Sequence, residues 1–360
     1  MSHPPPTTDI VVVGGGIIGL ATAERLTEAG HTVTVVDASG VAAGATGVSG
    51  GLVRGFAPSG RDQDLAAAGL AAYRKRGPHG TWPAVRGHGS LTFLTTDDLA
   101  RAHPAVSALR TAGHKAEILT AQDITTRFPD LRTTTGDHAV YEEDAGWLPA
   151  REVAAALVRD AGPLLRQVRA RATGLLTSRS RVTGVETSEG TIRARAVLLA
   201  AGTGSTPLAA TAGVTLPLRT RAVGYCLFRL HGRAVNTALP VVVDPATGSW
   251  LRPWDSASVV LAGVFSPKTD VPAQVRHGVP DEETQRVRDV LLTRIPQLAR
   301  ARPVGGVMAY DAMSPDGSGA VEAPSGIDGL VTATGWNGGG FKLAPAVGER
   351  AAALLRETMA

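Results

Sequence analysis

The stretch DIVVVGGGIIGLATAERLTEAGHTVTVVD, Asp9 to Asp37, decides the fold. A β-branched run, Ile10 to Val13, meets Gly14, Gly16 and Gly19 in GxGxxG spacing; a helical stretch follows to Gly30, and a second apolar strand closes on Asp37. This pattern is a βαβ dinucleotide site. Gly14 makes the tight turn, Gly16 lets backbone approach a pyrophosphate, and Gly19 lets the helix pack close to the strand. The pyrophosphate sits on the first-turn amides, including those of Ile17 and Ile18, at the positive end of the helix dipole. Asp37, with Ala38 beside it, lies where an acid accepts hydrogen bonds from a ribose diol. On this stretch alone NAD and FAD fit equally.

Working outward, Ala38 to Phe56 is rich in small residues, with glycines at Gly40, Gly44, Gly47, Gly50, Gly51 and Gly55. Such a run holds neither a helix nor a central strand well. Leu52, Val53 and Phe56 are too apolar for a linker, so the run reads as backbone wrapped round a ligand, through Gly44, Ala45, Thr46, Gly50 and Gly51. Helical spacing over Asp62 to Arg76 stops at Gly77-Pro78, and short alternating strands follow, as in Ser90 to Thr95. A helix runs from about Pro149 to Ala161. After a hairpin-like pair (Val182 to Val185, Thr191 to Ala194) comes an unbroken apolar run, Ala196 to Ala201, ending in Gly202. Strands of that kind belong in parallel sheets buried on both faces.

Residues from about 215 to 265 read as an antiparallel sheet, Asp281 to Arg294 as a helix, and Leu330 to Ala333 as a third apolar strand. A glycine loop, Gly335 to Gly340, then leads to a final helix from Pro345. The dinucleotide-binding elements therefore fall in three pieces. The fold class is α/β: a Rossmann-like, mostly parallel domain, discontinuous in sequence (1–60, 150–214, 315–360), with an inserted substrate domain on a mixed or antiparallel sheet (61–149, 215–314).

Composition narrows the class. In 360 residues, 43% hydrophobic and 19% charged, there is material for a sizeable core. The net charge of +4 is spread along the chain, without the clustered stripe a nucleic acid needs. The single cysteine, Cys226, cannot form an internal disulfide and sits in an apolar run that suits core packing. No stretch reaches the ~18 apolar residues of a membrane span, and the N-terminal MSHPPPTT reads as a loose tail rather than a signal peptide. The default is a cytoplasmic protein with no metal site. Only four of 36 basic residues are lysines, Lys75, Lys115, Lys268 and Lys342; Lys342 lies in an apolar, glycine-rich surround.

VVVGGGIIGLATA, YEEDAGWLPAREVAAALVRDA, AAGTGS, WLRP and GWNGGGFKLAPAVG, in that order, resemble the D-amino-acid oxidase superfamily of flavoenzymes, and within it the glycine oxidase and monomeric sarcosine oxidase branch. The likeness covers nearly the whole chain. It implies FAD rather than NAD. Gly14, Gly16, Gly19 and Asp37 match the pyrophosphate and adenosine-ribose positions, Ala172 an adenine-facing backbone, and Ala201-Gly202 the strand end beside FAD. Gly338, Gly339 and Gly340, with Phe341 and Lys342 after them, resemble the segment facing the isoalloxazine ring.

A partial match of Gly44 to Arg54 to the sarcosine-oxidase loop puts Arg54 and Lys342 where that branch binds the substrate carboxylate, a task suited to an arginine fork and a compact ammonium. Some positions depart from the branch. Ala309 replaces the cysteine that attaches FAD covalently, so FAD is expected to be non-covalent. Leu261 replaces the lysine associated with oxygen activation, and Phe265 a pocket histidine. Asp311, with Tyr310 beside it, falls at the position that is arginine or tyrosine in the branch.

The resemblance implies FAD-dependent oxidation of the C–N bond of a small amino acid (primary, N-alkyl or cyclic secondary) to an imine. O2 is the expected acceptor, giving H2O2. Arg54, Lys342 and Asp311 or Tyr310 form the substrate site. Two other readings are open: a dehydrogenase using a different acceptor, and an FAD-binding subunit without turnover of its own. Neither the substrate nor the oligomeric state is legible.

Overall fold

The computed structural model describes residues 7–58, 60, 62–77, 80–230, 239–254, 258–273 and 277–359. The first six residues of the expected N-terminal tail, and Pro78 of the expected helix stop, lie outside them. Two eight-stranded sheets form the body.

The first sheet follows from the β-branched runs. Thr7–Val13 lies between Gly190–Leu199 and Val33–Val36, parallel to both, with Val11 beside Val197 and Val12 beside Val35. Leu165–Val168 extends it beyond Val33–Val36, and Leu330–Thr334 beyond Gly190–Leu199, again parallel. Ala320–Glu322 closes that edge antiparallel, and the hairpin partners Arg181–Thr187 and Ala172–Ser178 complete the sheet. Its central residues, Ile10 to Val13, Val33 to Val36 and Ala196 to Leu199, are buried, with helices on one face and Leu175, Val182, Val185 and the short helix Ser205–Ala210 packed on the other. On one face Ile17–Glu28, Ala150–Ala161 and Gly340–Met359 pack in one continuous core with the helix Gln63–Arg76.

The second sheet runs Arg302–Met313, Arg219–Arg229, Val259–Val264, Ser249–Pro253, Val241–Asp244, Ser90–Leu94, His138–Glu142, Ala116–Thr120. All its pairs are antiparallel except Val241–Asp244 with Ser90–Leu94, so it is mixed. Cys226 is buried in its core, and burial pushes the thiol up to about 11.

Two helices depart from the sequence reading. Thr96–Thr111 and Ala121–Arg127 follow strands directly, each started by a capping box, Thr95 with Asp98 and Thr120 with Asp123. A third departure is the start of the final helix, at Gly340 rather than Pro345. A proline inside a helix has no N–H for the carbonyl four residues back, here Phe341. That carbonyl instead accepts the Tyr73 hydroxyl at 2.8 Å, while the Tyr73 and Phe341 rings stack 5.7 Å apart. Tyr73→Phe removes the donor and keeps the stacking. It should destabilise by roughly 1–3 kcal/mol, the cost of a buried carbonyl left unpaired; an unchanged denaturation midpoint would show that the helix start does not depend on this bond.

Candidate FAD and substrate site

The turn after Thr7–Val13 is built around absent side chains. Gly14 takes φ +115°, and a Cβ there would collide with the Ala200 carbonyl; one on Gly19 would collide with the carbonyl of Gly14. Gly16 caps the helix Ile17–Glu28 in an extended conformation without a side-chain cap. The Ile17 amide donates to Thr46 Oγ1 at 2.9 Å. Those of Ile18 and Gly19 precede the first intrahelical bond and point out of the helix start, the arrangement that receives an anion.

Asp37 organises the same turn. One carboxylate oxygen accepts from the Gly15 N–H at 2.9 Å, the other from those of Ser39 and Gly40, at 2.9 Å each. A carboxylate has about four acceptor positions, so one stays available to a further donor such as a ribose hydroxyl. Ala38 is exposed beside it, and Gly44 and Ala45 begin the short turn that carries Thr46. Ala201-Gly202 follows the strand that pairs with Thr7–Val13, with open space beside Gly202, and Ala172 starts its own strand, half-buried.

At Gly50 and Gly51 the packing is with protein. A Cβ on Gly50 would lie 2.6 Å from the Trp250 ring, and one on Gly51 would collide with the Leu148 carbonyl. Close packing accounts for the absence of a side chain at these two positions. The Gly50 carbonyl also accepts from Arg252 Nε at 2.7 Å, and the Arg252 guanidinium lies 3.7 Å over Trp147 and 4.7 Å over Trp254. Phe341 likewise belongs to the helix core through its ring.

Arg54 and Lys342 come together around a residue that sequence reasoning missed, Glu142. Arg54 follows the short strand Leu52–Val53; Lys342 is buried in the first turn of the last helix, its Cε 3.7 Å from where a Gly339 Cβ would sit. Glu142 ends the strand His138–Glu142, fully buried. One of its oxygens takes the N–H groups of Gly55 (2.6 Å) and Phe56 (3.1 Å), the other that of Phe56 at 3.2 Å. Burial and the nearby Arg54 charge pull Lys342 down to about 7, against Asp62 and Glu142, which favour its ammonium. Burial pushes Glu142 up to about 6, against its two amide donors, Arg54 and Lys342. Only strand alternation distinguishes it from Glu143, which is exposed and paired with Lys115.

The other side of the loop is formed by the paired strands Arg219–Arg229 and Arg302–Met313, where Arg221 stands opposite Asp311 and Ala222 opposite Tyr310. Neighbouring strand residues face opposite ways, so only one of Asp311 and Tyr310 turns to the glycine loop. It is Asp311, whose carboxyl accepts the N–H groups of Gly338 and Ala312 and is pushed above the ordinary range by burial. Tyr310 is not in the cluster: it lines a cavity of about 240 Å³ with Lys268, His277 and Glu283, its hydroxyl 3.3 Å from His277 Nε2. Arg221 is buried beside Asp311, with its guanidinium 4.9 Å over the Phe265 ring. Leu261 is fully buried opposite Arg252, and Ala309 is buried opposite Val223.

Several buried polar atoms here have no partner among the described residues: Arg54 Nε, Arg221 Nε and Nη2, Trp336 Nε1 and Asn337 Oδ1. Buried groups of this kind are ordinarily satisfied, at a cost of about 1–3 kcal/mol each when they are not. The helix-start amides, with the unpartnered atoms of Trp336 and Asn337 beside the glycine loop, fit a long ligand with phosphates at one end and a polar ring system at the other. The family described as DAO, FAD dependent oxidoreductase, matches residues 9–354.

The chain belongs to this family. FAD is its cofactor. Among relatives, the 4-methylaminobutanoate oxidase (formaldehyde-forming) of Paenarthrobacter nicotinovorans is 30% identical over 98% of this chain but only 44% of its own length, so the chain spans under half of that relative. A glycine oxidase of Pseudomonas aeruginosa is 28% identical over 94% of this chain and 92% of its own. The crystal structure of L-proline dehydrogenase from P. horikoshii superposes with a TM-score of 0.87 at 21% identity, covering 98% of this chain and 94% of that one. No helix among the described residues of this family member is long and apolar enough to cross a membrane.

Proposed function

We propose that the protein oxidises the C–N bond of a small amino acid, primary, N-alkylated or cyclic secondary, to an imine, with O2 as acceptor and H2O2 as product. The single observation behind this reading is the proximity of Arg54 and Lys342, the latter against Gly339 of the glycine loop, beside a buried Glu142 already anchored by backbone amides. Because Glu142 is spoken for, the two cations retain attraction for one more anion, the substrate carboxylate. The names of two relatives, an oxidase of 4-methylaminobutanoate and one of glycine, support an amine substrate.

FAD is held by Gly14, Gly16, Ile17, Ile18, Gly19, Asp37 and the 338–340 loop, non-covalently given Ala309, and supplies the capacity to take a hydride equivalent from the amine carbon and pass two electrons on. The protein's own part is positioning: a fixed carboxylate leaves the amine one orientation, which turns an encounter into an effectively intramolecular step. Leu261, apolar and fully buried, favours a second reading, a dehydrogenase with a different acceptor. The test is a spectral screen of the yellow protein without air, using amino acids and N-methyl amino acids, followed by admission of air. Bleaching with recovery in seconds supports the oxidase, bleaching without recovery the dehydrogenase; no bleaching by any amine sinks both and leaves a non-catalytic FAD-binding subunit.

A further inference from the structure

The Arg54 and Lys342 pole leaves a second cation beside the same loop without a task. Arg221 is more than nine-tenths buried, yet its Nε and Nη2 have no partner among the described residues. These two nitrogens form one edge of the guanidinium, and their parallel N–H groups match the spacing of the two oxygens of a carboxylate. The rest of the group is already fixed. Phe265 lies 4.9 Å beneath it, and Asp311, across the strand pair, stabilises its charge while directing its own oxygens to the Gly338 and Ala312 amides.

Gly338 and Gly339 connect the two poles. A Cβ on Gly338 would lie 3.7 Å from Arg221 Nη2 and one on Gly339 3.7 Å from Lys342 Cε. Since consecutive Cα atoms are about 3.8 Å apart and each Cα–Cβ bond adds about 1.5 Å, those two side-chain atoms are separated by no more than about 14 Å. A short chain with an anion at each end can span that distance.

We propose that Arg221 binds a second carboxylate, so that the substrate is a dicarboxylic amino acid, its amine lying between one carboxylate on Arg54 and Lys342 and another on Arg221. This rests on the first carboxylate assignment above. It names a substrate class, one with an acidic side chain or an N-carboxyalkyl group. The protein then selects by length as well as charge, because both anions must be reached at once.

Titrating the FAD-loaded protein with unreactive acids, followed by flavin difference spectra, tests it. Succinate and glutarate should bind at least tenfold more tightly than acetate and butyrate. In Arg221→Met that ratio should collapse towards one, and Arg221→Lys, which keeps the charge and loses the fork, should restore part of it. Equal binding of mono- and dicarboxylates by the parent protein overturns the proposal. So does an Arg221→Met protein that keeps the preference but shows a shifted flavin reduction potential, since the fork would then serve the flavin edge. Monocarboxylate binding insensitive to Lys342→Met would instead sink the first assignment, which distinguishes the two failures.

Discussion

Lys342→Met is expected to lower kcat/KM for the substrate about 30- to 1,000-fold, mostly through KM. Removing one member of a buried, hydrogen-bonded charge pair costs roughly 2–4 kcal/mol of binding, and about 1.4 kcal/mol is tenfold. Methionine retains the length and apolar stem, so the loss reports the ammonium. The fold should not suffer: burial holds the Lys342 pKa near 7, well below the ordinary 10.5, so the unfolded chain binds more protons between those values. At pH 7 the buried amine is thus a burden that methionine lacks.

The same group sets a pH dependence. An unreactive carboxylate binds the ammonium form, so its affinity should be highest below about 7 and fall above it, by at most tenfold per unit for one proton. The charged neighbours act on this profile: Arg54 depresses Lys342, Asp62 and Glu142 support it, and protonation of Glu142 below about 6 favours the incoming anion further. Lys342→Met should flatten the fall above pH 7. A variant with parent-like affinity and the parent's pH profile would remove Lys342 from the carboxylate site.

How far the sequence reaches depends on the range of the forces involved. The βαβ unit was legible because its constraints are local: Gly14, Gly19 and Asp37 act on backbone within one supersecondary unit. The strands Ala196 to Leu199 and Leu330 to Thr334 were legible as apolar runs, since burial on both faces leaves no alternation. The helix Thr96–Thr111 was not read, although Thr95 with Asp98 supplies a local start signal; its weak amphipathic pattern and internal Pro104 obscured it. Pro345 misplaced the last helix because the hydroxyl that makes it tolerable comes from Tyr73, far away in sequence. Glu142 and Arg221 were invisible for the same reason. Glu142 acquires its meaning from amides 86 and 87 residues away, Arg221 from a strand pairing.

Glu142→Ala is expected to be the most destabilising single change in the site, by roughly 3–5 kcal/mol, the range for stripping a buried charge of its partner. Alanine would leave the Gly55 and Phe56 amides without an acceptor and set Arg54 against Lys342 with Asp62 left as the counter-charge to the ammonium. Glu142→Gln keeps one acceptor and the volume, so it should cost less, about 1–2 kcal/mol. The pH dependence separates charge from shape. The folded-state pKa of Glu142, about 6, lies above the ordinary 4.5, so its favourable contribution is complete below 4.5 and is lost as pH rises through 6. That difference is worth about 2 kcal/mol. Glutamine has no such titration, and the stability gap between parent and Glu142→Gln should therefore widen as pH falls from 7 to 4.5. A Glu142→Ala protein within about 1 kcal/mol of the parent at pH 7 would mean that water satisfies the amides and that the cations need no counter-charge from Glu142. The loop bearing Arg54 would then be held by the pairing of Leu52–Val53 with Gly146–Trp147, the Gln63 bonds to Gly55 and Ala57, and the Gly50 and Gly51 contacts to Trp250, Arg252 and Leu148.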